Sequence, residues 1–141
     1  MILVSACLGG VKCRYDGNNV PNEKIEEMVR SGEAIALCPE IIGGLETPRE
    51  CSEIIEIDGE RKVFSSSGKD ITAEYILGAE KTLEICKILG IKKAILKFRS
   101  PSCGCGKIYD GTFSGKLIPG NGITTELLTK NGIEVISEED L

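Results

Sequence analysis

The sequence predicts an α/β domain: a mostly parallel sheet with helices on both faces, Rossmann-like, carrying one β-hairpin insertion. Three observations lead there. Short apolar runs bounded by turn residues alternate with amphipathic segments of helical period. One stretch, Glu53 to Ser65, instead alternates residue by residue around Asp58-Gly59. The resulting order is strand, helix, strand, hairpin, helix, strand, helix, strand, which right-handed crossovers convert into parallel strands covered on both sides.

Each element has a local reason. Met1 to Ser5 is an apolar run that reads as a buried strand, followed by a glycine-rich turn through Gly9, Gly10 and Gly17. Asn22 is placed to cap a helix whose apolar positions Ile25, Met28 and Val29 step at helical spacing, and Gly32 ends it. Ala34 to Leu37 is a second strand, with Cys38 and Pro39 at its end. The EIIEI and ERKVF segments flank Asp58-Gly59, a pair suited to a type I′ turn. Asp70 is placed to cap a long helix from about Ile71 to Leu89, with Tyr75, Ala79, Leu83 and Cys86 on one face and Gly90 as its stop. Lys93 to Phe98 is a strand, Ile123 to Lys130 a short helix, and Glu134 to Ile136 a last strand.

Residues 1–141 read as a single domain, without repeats, low-complexity tracts or Pro/Ser-rich linkers. With 41% hydrophobic and 28% charged residues, a core forms without disulfides or structural metal, so stability does not account for the cysteines. There are 7 cysteines and no histidine. The missing histidine excludes Ser-His-Asp and Cys-His machinery and His-ligated zinc, and leaves proton transfer to Glu, Asp, Lys, Tyr, Ser or Cys. No basic leader precedes a long apolar run and no segment is long enough to span a membrane, so a cytoplasmic protein is expected. There an odd set of thiols reads as metal-binding or chemical rather than as a disulfide framework.

In open α/β sheets, ligands bind beyond the carboxyl ends of the strands. Cys7, Cys38 and Cys103 each follow a predicted strand, so these three thiols are expected to meet at one sheet edge. Cys86 reads as a core residue, Cys51 as a loop thiol, and Cys13 and Cys105 as neighbours able to approach the same edge. Three thiolates without histidine suit either an iron–sulfur cluster or a cysteine-rich zinc site, although paired zinc knuckles are absent. A [4Fe–4S] cluster on three protein ligands would leave one iron open as a Lewis acid. The glycine pairs match neither a dinucleotide fingerprint nor a Walker loop.

Three motifs in order, SACLGGVKCRYDG (Ser5 to Gly17), CPEIIGGLETPRE (Cys38 to Glu50) and RSPSCGCGKIYDGTFSG (Arg99 to Gly115), resemble the short, single-domain thiouracil desulfidases. The resemblance runs through nearly the whole chain. It implies non-redox removal of sulfur from a thiolated pyrimidine, using an oxygen-sensitive [4Fe–4S] cluster held by Cys7, Cys38 and Cys103. Glu40 is then the expected group to activate water or shuttle protons, and Ser100 and Ser102 are expected to hydrogen-bond the base or relay a proton. Arg49 is a candidate to balance charge, while Tyr15 and Asp16 read as turn residues. Longer relatives with an added domain act on thiolated tRNA nucleosides. This sequence lacks that domain and carries a net charge of −5, which favours a free base or nucleoside and argues against tRNA without ruling it out. The competing reading is a cysteine-rich metal or iron–sulfur binding module without catalysis.

Overall fold

In the computed structural model, which describes residues 1–141, the alternating runs form β1 (Ile2–Ser5), α1 (Glu23–Arg30), β2 (Ala34–Leu37), α2 (Pro39–Ile42), β3 (Ser52–Ile57), β4 (Glu60–Ser65), α3 (Thr72–Leu89), β5 (Lys93–Leu96), β6 (Lys107–Tyr109), β7 (Leu117–Pro119), α4 (Ile123–Lys130) and β8 (Glu134–Ser137). A 3-10 turn, Glu138–Asp140, follows. The central sheet has the order β2-β1-β5-β8 and is parallel throughout, with Ser5 beside Leu37, Val4 beside Ile95 and Leu96 beside Ser137. From β1 the chain moves outward to β2, then returns past β1 to β5. The strand order therefore reverses between β1 and β5, and their carboxyl ends diverge into a crevice.

Period-two alternation divides the core. Leu3, Ala94 and Leu96 face α3 and α4, packing with Cys86, Ile91, Leu128 and Ile133. Val4, Ala34 and Ile95 face α1, packing with Ile25 and Leu8. Helices thus cover both faces, as expected. Asn22 caps α1 by accepting from the Lys24 and Ile25 amides, and Gly90 closes α3 in the left-handed conformation at φ 68°. Asp58 and Gly59 take φ of 51° and 81°, the positive pair that a type I′ turn requires.

Four details differ from the sequence reading. The long helix starts at Thr72, so Ile71 occupies the cap position. Asp70 stands one residue too early to cap and instead accepts from the Thr72 amide at 3.0 Å and the Thr72 hydroxyl at 2.6 Å. The strand expected to reach Phe98 ends at Leu96, because the Phe98 amide donates to Glu138 Oε1 at 2.6 Å and leaves the ladder. Two elements escaped the sequence reading: α2, whose four residues are too few to show a period, and the hairpin of β6 and β7. The β3–β4 hairpin forms its own two-stranded sheet over a small core of Ile54, Val63, Ile71, Tyr75 and Ile108. No helix is long and apolar enough to cross a membrane.

Candidate active site

Cys7 follows β1 by two residues, Cys38 follows β2 directly, and Cys103 lies in the loop after β5. Ala6 extends the ladder by donating to the Leu37 carbonyl at 2.9 Å, after which the chain turns tightly and Cys7 is fixed by Gly10 and Val20 amides on its carbonyl. Cys38 holds the N-cap position of α2 with Pro39 next, in extended backbone that lets the sulfur face the Ile41 amide. Cys7, Cys13 and Cys103 are buried and Cys38 is half-buried. All four lie at the carboxyl edge of the sheet, at the strand-order reversal.

Cys13 belongs to this group by contact. Its thiol is within hydrogen-bonding reach of the Cys38 and Cys7 side chains, and Cys38 Sγ lies 4.0 Å from the Cys13 carbonyl. The hydrogen bond with Cys38 works to lower the Cys13 pKa, but the Cys7 contact and burial outweigh it and push the thiol up to about 11. Cys38 is raised further, by its hydrogen bond to Cys13 and by burial. Burial pushes Cys103 up to about 12, while the nearby Ser5 and Ser102 hydroxyls favour its thiolate. Without a cation Cys13, Cys38 and Cys103 therefore stay protonated at neutral pH, and with Cys7 they make a soft all-sulfur donor group. No three of the Cys, Asp and Glu side chains converge as ligands of a single ion.

Glu40, in the first turn of α2, is held on both oxygens. Its Oε2 pairs with Arg49, and its Oε1 accepts from the Tyr75 hydroxyl at 2.5 Å. The single Tyr75 proton is committed to the carboxylate, so the Ser52 hydroxyl 2.5 Å away donates to Tyr75. Arg49 also donates to the Cys13 carbonyl at 3.0 Å and to Glu46 and Thr47, binding the Cys13 loop to α2. Burial opposes the guanidinium charge, and Glu40 more than offsets this, raising the Arg49 pKa. Burial first and then the Glu40 charge push the Tyr75 hydroxyl well above the ordinary tyrosine range.

Backbone proximity sets this position. A Cβ on Gly78 of α3 would lie 2.0 Å from the Pro39 carbonyl oxygen, and one on Gly43 would lie 2.0 Å from that of Glu74. Neither glycine has positive φ, so both positions require hydrogen for space. The close crossing brings Tyr75 of α3 within reach of Glu40.

The serines flanking Pro101 are occupied by the fold. Ser100 Oγ accepts from the Ser102 and Cys103 amides at 3.1 and 3.0 Å, forming the turn that presents Cys103. Ser102 is 1% exposed, and its hydroxyl lies 2.7 Å from that of Thr124. The Pro101 and Ser102 carbonyls accept the first amides of α4, from Ile123 and Thr124, while Thr125 donates to the Cys103 carbonyl at 2.8 Å. The cysteine loop is thereby welded to the start of α4.

The remaining cysteines stand apart. Cys86 is fully buried between α3 and the sheet, Cys51 is exposed, and Cys105 Sγ donates to the Val135 carbonyl at 3.4 Å, away from the group. Tyr15 and Asp16 form a turn, with Asp16 accepting from the Asn18 amide at 3.0 Å and the Tyr15 carbonyl accepting from Arg49 at 2.7 Å. The sequence reading passed over Tyr75 and Ser52 because Tyr75 lies 35 residues from Glu40 and 23 from Ser52, and Tyr75 sits on the apolar stripe of its helix. Only the Gly43–Gly78 crossing reveals them.

A parallel α/β sheet with a buried thiol group and a doubly held carboxylate at its strand-order reversal defines a sulfur-donor site of the kind that binds soft metals. A model of the 2-thiouracil desulfurase family matches residues 2–140, and the chain belongs to that family. It is similar to the Bacillus subtilis (strain 168) protein described as uncharacterized protein YbbK, 49% identical over 147 residues that cover 100% of this chain and 97% of the relative. It is also similar to the solved structure of a [4Fe-4S]-dependent thiouracil desulfidase, TudS (DUF523Vcz), with a TM-score of 0.91, 45% identity, and coverage of 99% of this chain and 91% of that one.

Proposed function

We propose that the protein is an iron–sulfur-dependent desulfidase that converts a 2-thiouracil-like base or nucleoside to its oxo form, with water supplying the oxygen and hydrosulfide leaving. Cys7, Cys38 and Cys103 would hold a [4Fe–4S] cluster. The donor set supports this: it is all sulfur, and it is drawn from three different loops. When bound on three thiolates, such a cluster supplies an iron with an open position, a Lewis acid for the thiocarbonyl sulfur.

The chain's own residues manage water and protons. Replacing C=S by C=O needs a water molecule that loses protons, one of which leaves with the sulfur. Glu40 is the base for that water, since no histidine exists and its carboxylate is the acidic group beside the thiols. Arg49 and Tyr75 fix its two oxygens, aligning the carboxylate. Ser100 and Ser102 act through position, holding the Cys103 turn against α4, with the Ser102 hydroxyl beside the Cys103 sulfur.

The observation that carries the reading is the meeting of thiols from three βα loops beside Glu40 at the sheet's switch point. The test is anaerobic purification and reconstitution, measurement of iron, sulfide and the visible spectrum, and an assay of sulfide release from 2-thiouracil. A brown, iron-loaded protein that releases sulfide and forms uracil is expected. A colourless protein that takes up zinc and no cluster would overturn the reading.

A further inference from the structure

The helix α3 is apolar on more than the face it buries. Tyr75, Gly78, Ala79, Thr82 and Cys86 pack inward, yet Leu77 and Ile88 stand on the opposite side at 42% and 78% exposure. At about 100° per residue, Leu77, Lys81, Glu84 and Ile88 fall on one outward stripe about 60° wide, and Lys81 and Glu84 are exposed as well. None of the six ion pairs in the chain uses Lys81 or Glu84, nor their neighbours Glu80 and Lys87 on the flank of the stripe. The outward face therefore holds unpaired charges between two exposed apolar side chains.

We infer that this stripe is the interface of a homodimer, in which α3 of a second copy packs antiparallel across it. The order along the stripe is apolar, cation, anion, apolar, which is complementary to itself only when one copy is reversed. A two-fold axis between Thr82 and Leu83 sets Leu77 against Ile88 of the second copy and Lys81 against its Glu84, and symmetry repeats both contacts. Under the same axis Glu80 and Lys87 of the second copy share one rim, offset by about 3 Å along the helices. The parallel arrangement would set Lys81 on Lys81 and Glu84 on Glu84, so like charges select against it.

The stripe is about 16 Å long. One helix pair of that length covers less than the roughly 800 Å² per partner of a standard interface, so the dimer is a weak one. The apolar ends supply most of the attraction and the central ion pairs fix the register. Because the stripe faces away from Tyr75 and the sheet, the dimer leaves the thiol edge uncovered, and the inference is independent of the cluster reading.

The experiment is sedimentation velocity on the full chain over a range of concentrations, with a thiol reductant present because Cys51 is exposed. Dimer is expected to predominate at about 1 mM and monomer on dilution to about 1 μM. Lys81→Glu and Glu84→Lys each place four like charges at the centre of the interface, and each should stay monomeric throughout, with thermal melts like wild type. Mixed in equal amounts, the two variants should dimerise with each other, since one then carries only acids and the other only bases at these positions. The Lys81→Glu/Glu84→Lys double variant should dimerise as wild type does, and Ile88→Gln should weaken association at least about tenfold. Wild type that is monomeric at about 1 mM would overturn the inference. So would a dimer that survives both single charge reversals, or a mixture of the two variants that stays monomeric.

Discussion

Replacing Gly78 by alanine tests whether the α2–α3 crossing places the carboxylate. The added methyl would lie 2.0 Å from the Pro39 carbonyl oxygen, where real Cβ atoms keep at least 3.0 Å, so the two backbones must part by about 1 Å. Overpacking of this kind costs about 1–3 kcal/mol. The upper end applies because the obstructing atoms are backbone and cannot rotate away. Alanine returns about 1 kcal/mol of helix propensity inside α3. The net expectation is a loss of about 2 kcal/mol, lowering the midpoint of a domain this size by about 8 °C. Parting the helices also lengthens the Tyr75–Glu40 hydrogen bond, now 2.5 Å. Circular-dichroism melts of the cluster-free protein read the first effect, and kcat for sulfide release in the reconstituted protein reads the second. The control is Gly90→Ala, where a Cβ meets nothing within 4 Å and only the φ of +68° is strained; it should cost about 1 kcal/mol and leave kcat alone. A Gly78→Ala protein as stable and as active as wild type would refute the reasoning.

Three further outcomes are expected. Glu40→Gln should retain iron and lower kcat by on the order of 100-fold or more; undiminished turnover would remove Glu40 from the mechanism. Single Cys7→Ser, Cys38→Ser or Cys103→Ser changes should abolish cluster retention, whereas Cys51→Ser and Cys105→Ser keep it and Cys86→Ala keeps it at a stability cost of about 1 kcal/mol; iron analysis and melts decide, and the opposite pattern would reassign the ligands. Asp16, Glu50, Asp70 and Asp110 have lowered pKa values, chiefly through hydrogen bonds from the Asn18 amide and from the Ser67, Thr72 and Thr112 hydroxyls respectively. Their stabilisation is present above the ordinary carboxylate range near pH 4 and is lost as pH falls through the lowered folded values. Melts of the cluster-free protein should drop in midpoint below about pH 4, with a shallower drop for Asp70→Asn; a rise on acidification would contradict the linkage.

Local physics explains what was readable without coordinates. Strands, caps and stops depend on neighbours within a few residues: the Asn22 cap, the Asp58-Gly59 turn and the Gly90 stop all act over one turn of chain. The element order implied the parallel sheet, and the strand-end rule brought Cys7, Cys38 and Cys103 to one edge. Asp70 misled by one residue because its side chain serves Thr72 from outside the helix just as a cap would from its first position. The elements α2 and β6–β7 were silent, being shorter than any period that could reveal them.

The sequence by itself determined the fold class, the all-thiol character of the site and the family, since residue type, local spacing and contiguous motifs carry all three. Tertiary structure alone decided how the site is held. Two glycines 35 positions apart let backbones touch, giving Glu40 its Tyr75 and Ser52 partners. Arg49 ties Glu40 to the Cys13 loop, bringing Cys13 beside Cys7 and Cys38 and leaving Cys105 outside. These contacts depend on where separate elements cross. That follows from the packing of whole faces, to which every element contributes and which no single stretch of sequence encodes.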